Sequence, residues 1–376
     1  MNYFLIAGEA SGDLHASRLI EALKQTDRSA KFCGLGGAKM QDAGCLLLRT
    51  YDKMAYMGIL DVIAHSREIS DNWRITTRAL RAEKPDCLIL VDYPSFNLKV
   101  AEWTRKHLPN TKIVWYIPPK VWAWKRWRTR KIGRLSDAIY GIFPFEPAFY
   151  ERYGFTCSYV GNPTAEQINN YLLTTPIPAE KDEFIAILPG SREREVRRCL
   201  PRMLEAAAKF NRPIVITAAP SLSDEYYRKL IEQIIGANPE IDSSRITLTR
   251  FTYDTILHAR AAVVNSGTAT LETALLGCPQ VAVYHITVPR ILKPLQPIVF
   301  PNPYFTLVNI IARKQVIKEL LWYDFTVEHV AHELNRLLSN ADYCLQMRAE
   351  YKQIASQLGT ESASQNAAKA IMELMK

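Results

Sequence analysis

Short apolar runs recur along this chain, each followed by a polar turn and then by a stretch with helical spacing. Tyr3–Ala7, Lys31–Leu35, Asp86–Val91, Lys112–Ile117 and Ala138–Ile142 read as strands in the first half. Positions 184–188, 213–218, 245–249, 261–264 and 280–284 repeat the rhythm in the second half. The runs are continuous rather than alternating, which suits strands buried on both faces of a parallel sheet. Between them the spacing turns helical: Ala16, Leu19, Ile20 and Leu23 share one face of a helix. Alternating β and α segments predict an α/β fold with a doubly wound sheet in each half. After residue 326 the pattern predicts helices alone, over Val327–Leu338, Ala341–Leu358 and Ser362–Met375. The polar, proline-bearing stretch 174–182 reads as a linker, and 376 residues exceed one comfortable core.

The polar turns carry the candidate chemistry. Leu188-Pro189-Gly190-Ser191-Arg192 joins a buried strand to a helix start. Free backbone N–H groups, the helix dipole and the Arg192 guanidinium would together bind a phosphate, with Ser191 as the cap. An ordinary βα turn capped by Ser191 explains the same residues. Asn265-Ser266-Gly267-Thr268-Ala269-Thr270-Leu271-Glu272 has the same layout, and Glu272 falls about one turn into its helix, within reach of a ribose diol. A capped helix with a solvated Glu is the bland alternative. Gly8-Glu9-Ala10-Ser11-Gly12-Asp13 follows the first strand but lacks the full dinucleotide spacing. Its acids oppose a phosphate, so it binds hydroxyls or lines a cleft, or is a plain turn capped by Ser11 or Asp13. Asp92 ends a central strand, where ligands meet open α/β sheets and where a general base belongs. An Asx turn before Pro94 is the other reading.

Charge adds a partner question. The formal net charge is +9, which favours anionic partners. From Lys120 to Arg134 there are seven Lys or Arg residues, three Trp and no acid. That mixture suits nucleic acid by stacking, an anionic membrane interface, or a basic helix with buried Trp side chains. Met54–Ile69 is apolar around too much of a helix for a surface helix, so it reads as core or as a patch for acyl chains. The seven cysteines form no C-x-x-C pair, so neither a disulfide framework nor a zinc site is indicated, and a reducing compartment fits. The N-terminal run is too short for a signal peptide, and no stretch of about 18 apolar residues occurs. The longest apolar stretch, Val281–Phe300, is broken by Arg290, Lys293 and several prolines.

Seven pieces in order resemble the lipid-A-disaccharide synthase family over nearly the whole chain. They are the 8–13 loop, Met57-Gly58, Asp92-Tyr93-Pro94-Ser95-Phe96-Asn97, Val121-Trp122-Ala123-Trp124, Pro144-Phe145-Glu146, Leu188-Pro189-Gly190-Ser191-Arg192 and Ser266–Glu272. The resemblance implies a GT-B fold: two Rossmann-like domains facing across a cleft, with C-terminal helices crossing back. The expected division is 1–164 plus 345–376 for the acceptor and membrane side, and 165–344 for the UDP-sugar donor. It implies an inverting, metal-independent glycosyltransferase that needs no cofactor. The donor is UDP-2,3-diacylglucosamine and the acceptor 2,3-diacylglucosamine 1-phosphate; the products are a β-1′,6-linked disaccharide 1-phosphate and UDP.

On this reading Asp92 deprotonates the acceptor 6-hydroxyl, and Glu9 and Ser11 shape the acceptor side. Gly190, Ser191, Arg192, Ser266, Gly267 and Thr268 hold the diphosphate, with Glu272 and Asn309 orienting ribose or diphosphate. The expected location is peripheral, on the cytoplasmic face of an anionic inner membrane, with no nucleic-acid partner and a homodimer left open. Three positions depart from the family pattern. Ser95 stands where a second Asp is common, Asn162 stands where His is usual, and Leu307–Arg313 replaces a Leu-Pro-Asn-Leu-Leu-Ala-Gly loop. The rivals are a UDP-sugar 2-epimerase, which needs no lipid acceptor, and a nucleic-acid-binding module built on 120–134.

Overall fold

The computed structural model describes residues 1–53, 66–123, 125–285 and 303–376. Met57-Gly58, most of the Met54–Ile69 run, Trp124 and residues 286–302 lie outside them. Contacts divide the chain into two compact units, Met1–Glu166 with Thr360–Lys376, and Gln167–Gly359.

In the first unit the described strands are β1 (Asn2–Ala7), β2 (Lys31–Gly36), β3 (Leu46–Thr50), β4 (Cys87–Val91), β5 (Lys112–Tyr116), β6 (Ala138–Gly141) and β7 (Ser158–Tyr159). They form one sheet in the order β3-β2-β1-β4-β5-β6-β7, and every pairing is parallel. Central strand β4 is buried at all five positions, as its unbroken apolar run requires. Phe4, Leu88, Leu90, Ile113 and Trp115 join in the core on one face. The helix Ala10–Thr26 packs against the chain's last helix, Ala363–Leu374, and Tyr3 Oη lies 3.3 Å from Met372 Sδ. Glu166 ties the returning segment down: its carboxylate accepts from Ser362 Oγ at 2.7 Å and from the Ala363 amide at 3.1 Å.

The second unit holds β8 (Ile185–Leu188), β9 (Ile214–Thr217), β10 (Ile246–Thr249), β11 (Ala261–Asn265), β12 (Gln280–Tyr284) and β13 (Lys318–Leu321). This sheet is also parallel, in the order β10-β9-β8-β11-β12-β13. The helix Ala341–Leu358 belongs wholly to it. Arg348 Nε donates to Gly277 O at 3.3 Å, and Lys314 pairs with Glu350 at 2.8 Å. The chain leaves this unit at Gly359, whose φ of +69° ends the helix, so the position expected for the return, 345, falls inside a helix.

Ten strands expected from the apolar runs are present, within about two residues at each end. Three further ones were not expected: the two-residue edge strand Ser158–Tyr159, Leu46–Thr50 and Lys318–Leu321. Leu46–Thr50 is a sheet edge with Leu46 64% exposed, and Lys318–Leu321 is half charged, so neither shows a buried-strand pattern. The basic run also differs from a single helix. Residues 121–123 form a turn, and the helix covers only Arg128–Leu135.

Candidate active site

Each sheet reverses its winding once, and ligands of open α/β sheets bind beyond the carboxyl ends of the strands at that reversal. In the first sheet it lies between β1 and β4. The segments that leave those two strands are Gly8–Asp13 and Asp92–Asn97. In the second it lies between β8 and β11, which are followed by Pro189–Arg192 and Ser266–Thr268. The topology therefore gathers the sequence-predicted residues, apart from Asn309, into two loop pairs, one on each unit, with Glu272 one turn into the helix after Gly267.

Asp92 is half-buried at the end of β4. Its φ is +44° and that of Tyr93 is +50°, so two successive residues with side chains sit in the left-handed region. Such a residue costs roughly 1–3 kcal/mol and persists only where its surroundings enforce it. Here they do. The Asp92 amide donates to Ile117 O at 3.0 Å, and Asn97 Nδ2 donates to Asp92 O at 2.8 Å. Ile117, at the end of neighbouring β5, has a φ of +63° itself, a rare state for a β-branched residue. Burial raises the Asp92 carboxyl to about 6, and the Glu9 charge adds to the rise, against Lys120 and the Tyr93 amide. A carboxylate that titrates near neutrality, on rigid backbone, is suited to take a proton from a hydroxyl.

Glu9 occupies the N-cap position of the helix Ala10–Thr26, and Ser11 is exposed in its first turn. Neither side chain closes that helix, since Glu9 makes no side-chain cap. Asp13 turns away from the ligand side. It is 2% exposed and accepts from the amides of Gly37, Lys39 and Met40 at 2.8, 3.2 and 3.1 Å. It thus caps the next short helix, Ala38–Asp42, and not its own.

Trp122 and Glu146, from two of the motifs, meet in the interior of the first unit. Glu146 is 1% exposed and accepts from Trp122 Nε1 at 3.1 Å and from the Ile142 and Phe143 amides at 2.7 and 2.9 Å. Burial lifts its carboxyl to about 7 against those hydrogen bonds. Trp122 is therefore a buried anchor, whereas Trp127 is 67% exposed beside the exposed Lys125 and Arg126. Arg128 Nη2 donates to Ser95 Oγ at 3.4 Å, so the basic segment adjoins the aspartate turn. Asn162, where the family usually has His, caps the helix Pro163–Thr174 through the Thr164 and Ala165 amides, both at 3.0 Å.

In the second unit, Gly190 has a φ of +115°. A Cβ there would lie 2.7 Å from Asn265 Nδ2 and 2.9 Å from Glu195 Oε2, so only glycine fits. Asn265, last residue of β11, thereby knits the two loops. The helix Glu193–Ala208 begins one residue later than expected, with Arg192 and not Ser191 at the N-cap. Ser191 is exposed, and its carbonyl accepts from Ser221 Oγ at 2.7 Å. The cap expected of Ser191 is absent because its side chain precedes the helix by too much. Gly267 likewise precedes Thr268–Leu275 without a side-chain cap. Elsewhere in this unit, Asp224–Ala237, Val327–Ser339 and Ala341–Leu358 are closed by Ser223, Thr326 and Asn340, while Thr252–His258 has no side-chain cap. The two helices at the sheet's reversal thus keep amides uncovered by side-chain caps, the arrangement an anion needs. Arg192 is 56% exposed and 3.5 Å from Glu195.

Glu272 is half-buried and accepts from Tyr253 Oη at 3.1 Å; burial raises its carboxyl. Asn309 is a correction. It is fully buried, and its amide donates to Ile317 O and Glu319 Oε1, each at 2.9 Å. Its oxygen accepts from the Val316 and Ile317 amides at 2.7 and 3.0 Å. All four of its side-chain hydrogen-bonding positions are engaged within the protein, so it ties the helix Leu307–Ala312 to β13 and the residues before it and has none left for ribose or diphosphate.

Sequence reasoning gave no role to Asn97, Tyr93 or Asn265, and read Lys120 only as a member of the basic run 120–134. Lys120 and Asn265 could have been found by asking what stands at the carboxyl end of each strand that borders the candidate loops.

Relatives and folds separate the remaining alternatives. The neighbours in fold include the calicheamicin glycosyltransferase CalG4, at TM-score 0.60 and 13% identity over 99% of this chain and 97% of that one. They also include a UDP-GlcNAc 2-epimerase from Neisseria meningitidis bound to UDP-GlcNAc, at TM-score 0.55 and 13% identity over 100% and 99%. The GT-B class is theirs and this chain's, and fold alone does not choose between transferase and epimerase. Sequence does. Lipid-A-disaccharide synthases of Geobacter sulfurreducens and Syntrophus aciditrophicus are 32% and 35% identical, each over 99% of this chain and 96% and 97% of their own lengths. The lipid-A-disaccharide synthetase family profile matches residues 3–374. With the match running the length of both units, the chain belongs to the lipid-A-disaccharide synthase family.

Proposed function

We propose that this glycosyltransferase joins UDP-2,3-diacylglucosamine to 2,3-diacylglucosamine 1-phosphate. The observation that carries the chemistry is Asp92, a carboxyl held near 6 by burial, on a strained turn at the first sheet's reversal. Asp92 takes the proton of the acceptor 6-hydroxyl as that oxygen attacks the donor's anomeric carbon. The bond to the diphosphate breaks from the opposite face, so the β-1′,6 linkage forms with inversion and UDP leaves. Glu9 and Ser11 stand at the neighbouring strand end and bind sugar hydroxyls. On the second unit, the N-termini at Glu193 and Thr268, together with Arg192, stabilise the charge that develops on the departing diphosphate. Glu272, held by Tyr253, binds the ribose diol. In this reading residues 1–166 with 360–376 serve the acceptor and the membrane, and 167–359 serve the donor.

The acylated substrates require a surface. No helix among the described residues is long and apolar enough to cross a membrane. Exposed Trp127, with Lys125, Arg126 and Arg130 around it, has the composition of an anionic interface contact. We place the enzyme peripherally on the cytoplasmic face of the inner membrane.

The test is UDP release from the acylated donor with and without the acylated acceptor phosphate. Release that depends on the acceptor, with formation of a disaccharide, supports the transferase. Conversion of UDP-N-acetylglucosamine to its C2 epimer with no acceptor would replace it with the epimerase reading.

A further inference from the structure

Asn97 is fully buried in the first turn of the helix Pro94–His107, yet its side chain serves backbone outside that helix. Nδ2 donates to Asp92 O at 2.8 Å and reaches Val91 O at 3.4 Å. It therefore spans the junction where β4 becomes the turn bearing Asp92. Oδ1 is buried and has no hydrogen-bond partner among the described residues. A buried amide with an unmet acceptor is unfavourable, so the residue is retained for its donor side. What the donor holds is unusual backbone, with Asp92 and Tyr93 both at positive φ. The helix N-cap, Tyr93, makes no side-chain cap, and the helix otherwise meets the turn through the Phe96 ring, 5.6 Å from that of Tyr93.

We propose that Asn97 is a positioning residue for the transfer reaction. Its amide locks the Asp92 carbonyl, which fixes the left-handed turn and aims the Asp92 carboxylate at the acceptor hydroxyl. The lock also keeps that carboxylate in its desolvated setting, the condition that poises it as a base. The inference rests on Asp92 being the base.

The experiment compares Asn97→Ala, the milder Asn97→Ser and Asp92→Asn in the full-length enzyme. It reads UDP affinity, kcat, and the acid limb of the pH–rate profile. In the folded Asn97 variants, UDP affinity is unchanged and kcat falls by roughly 10–100-fold, the scale of a misaimed group. The acid limb moves to lower pH, because a released carboxylate meets water and returns toward its ordinary value. A residue that only stabilised the fold would leave both kcat and the limb of the surviving folded protein in place. Wild-type kcat and limb in either folded Asn97 variant, with Asp92→Asn inactive, overturn the positioning role and spare the base. Near-normal turnover by Asp92→Asn overturns both.

Discussion

The ring of Tyr93 fills the space that a side chain at Gly8 would need: a Cβ on Gly8 would lie 2.3 Å from Tyr93 Cγ. The glycine loop after β1 and the aspartate turn after β4 thus pack as one surface. The contact is to Cγ and both Cδ atoms, so relieving it takes a new χ1 rotamer for Tyr93 or a shift of its backbone. Gly8→Ala is expected to displace that turn and lower kcat by about 10–100-fold, the effect of a small misplacement at a reacting group. UDP affinity should be unchanged, since the diphosphate loops belong to the second unit. Steady-state turnover beside calorimetric UDP titration checks this, and wild-type kcat would show that the turn tolerates the shift.

Replacing Asp92 by Asn removes proton transfer and should lower kcat by roughly 10²–10⁴-fold while UDP still binds. In the wild type, activity should rise with pH through an acid limb at about 6. Stability should respond with the opposite sign from an ion-paired carboxylate. The folded-state value lies above the ordinary 3.8, so charging Asp92 opposes folding. That penalty is absent below the unfolded value and complete above the folded one. Asp92→Asn should therefore melt higher than wild type at about pH 8, and this advantage should fade as pH falls through 6 toward 4. Thermal melts across that range decide it; an advantage independent of pH would mean the gain has another source.

Both sheets were legible because strands buried on two faces leave unbroken apolar runs, and β4, Cys87–Val91, is the clearest of them. The loops were legible because glycine and proline punctuate the strand ends. Edge strands were not: Leu46–Thr50 and Lys318–Leu321 are partly solvated and carry no run to read. Nor could spacing alone say which way a polar side chain turns. Asp13 and Asn309 stand in stretches whose sequence looks suited to ligands, yet both are helical and face inward to backbone amides. Ser191 misses its cap by one residue, a distinction that the chain's composition does not encode. Burial chiefly raises the Asp92 carboxyl, with Glu9 adding to the rise and Lys120 opposing it; both follow other strands, so this setting was invisible until the sheet order was known.

The diphosphate site makes two separable claims. Gly190→Ala places a methyl group against Asn265 and Glu195 and imposes an L-residue on a φ of +115°, so the loop must open. UDP affinity should drop at least as far as in Arg192→Ala, which removes a charge-assisted contact of roughly 1.5–3 kcal/mol, or about 10–150-fold. Neither change should alter the pH of the acid limb, which belongs to Asp92. Chelation should leave turnover intact if the two helix N-termini and Arg192 carry the leaving charge. Calorimetry with UDP, and rates with and without chelator, test each part. Activity restored to chelated enzyme only by a divalent ion would reassign the leaving-group role to a metal.

The membrane contact can be dissected by salt. A basic patch gains about 1 kcal/mol per Lys or Arg near an anionic leaflet, and that attraction is screened. Burial of an apolar or aromatic side chain in the interface does not depend on ionic strength. Residues 125–130 carry both kinds of group on the first unit, with Trp127 67% exposed and Arg128 stacked 5.3 Å over its ring. Trp127→Ser should reduce the salt-resistant fraction bound to vesicles containing anionic lipid. Lys125→Glu with Arg126→Glu should abolish the salt-sensitive fraction. Both variants should keep wild-type affinity for UDP, which separates surface loss from misfolding. Flotation across a salt series reads the two fractions directly. Wild-type flotation by both folded variants would move the contact away from this segment, and the acylated substrates would then be met on another face of the enzyme.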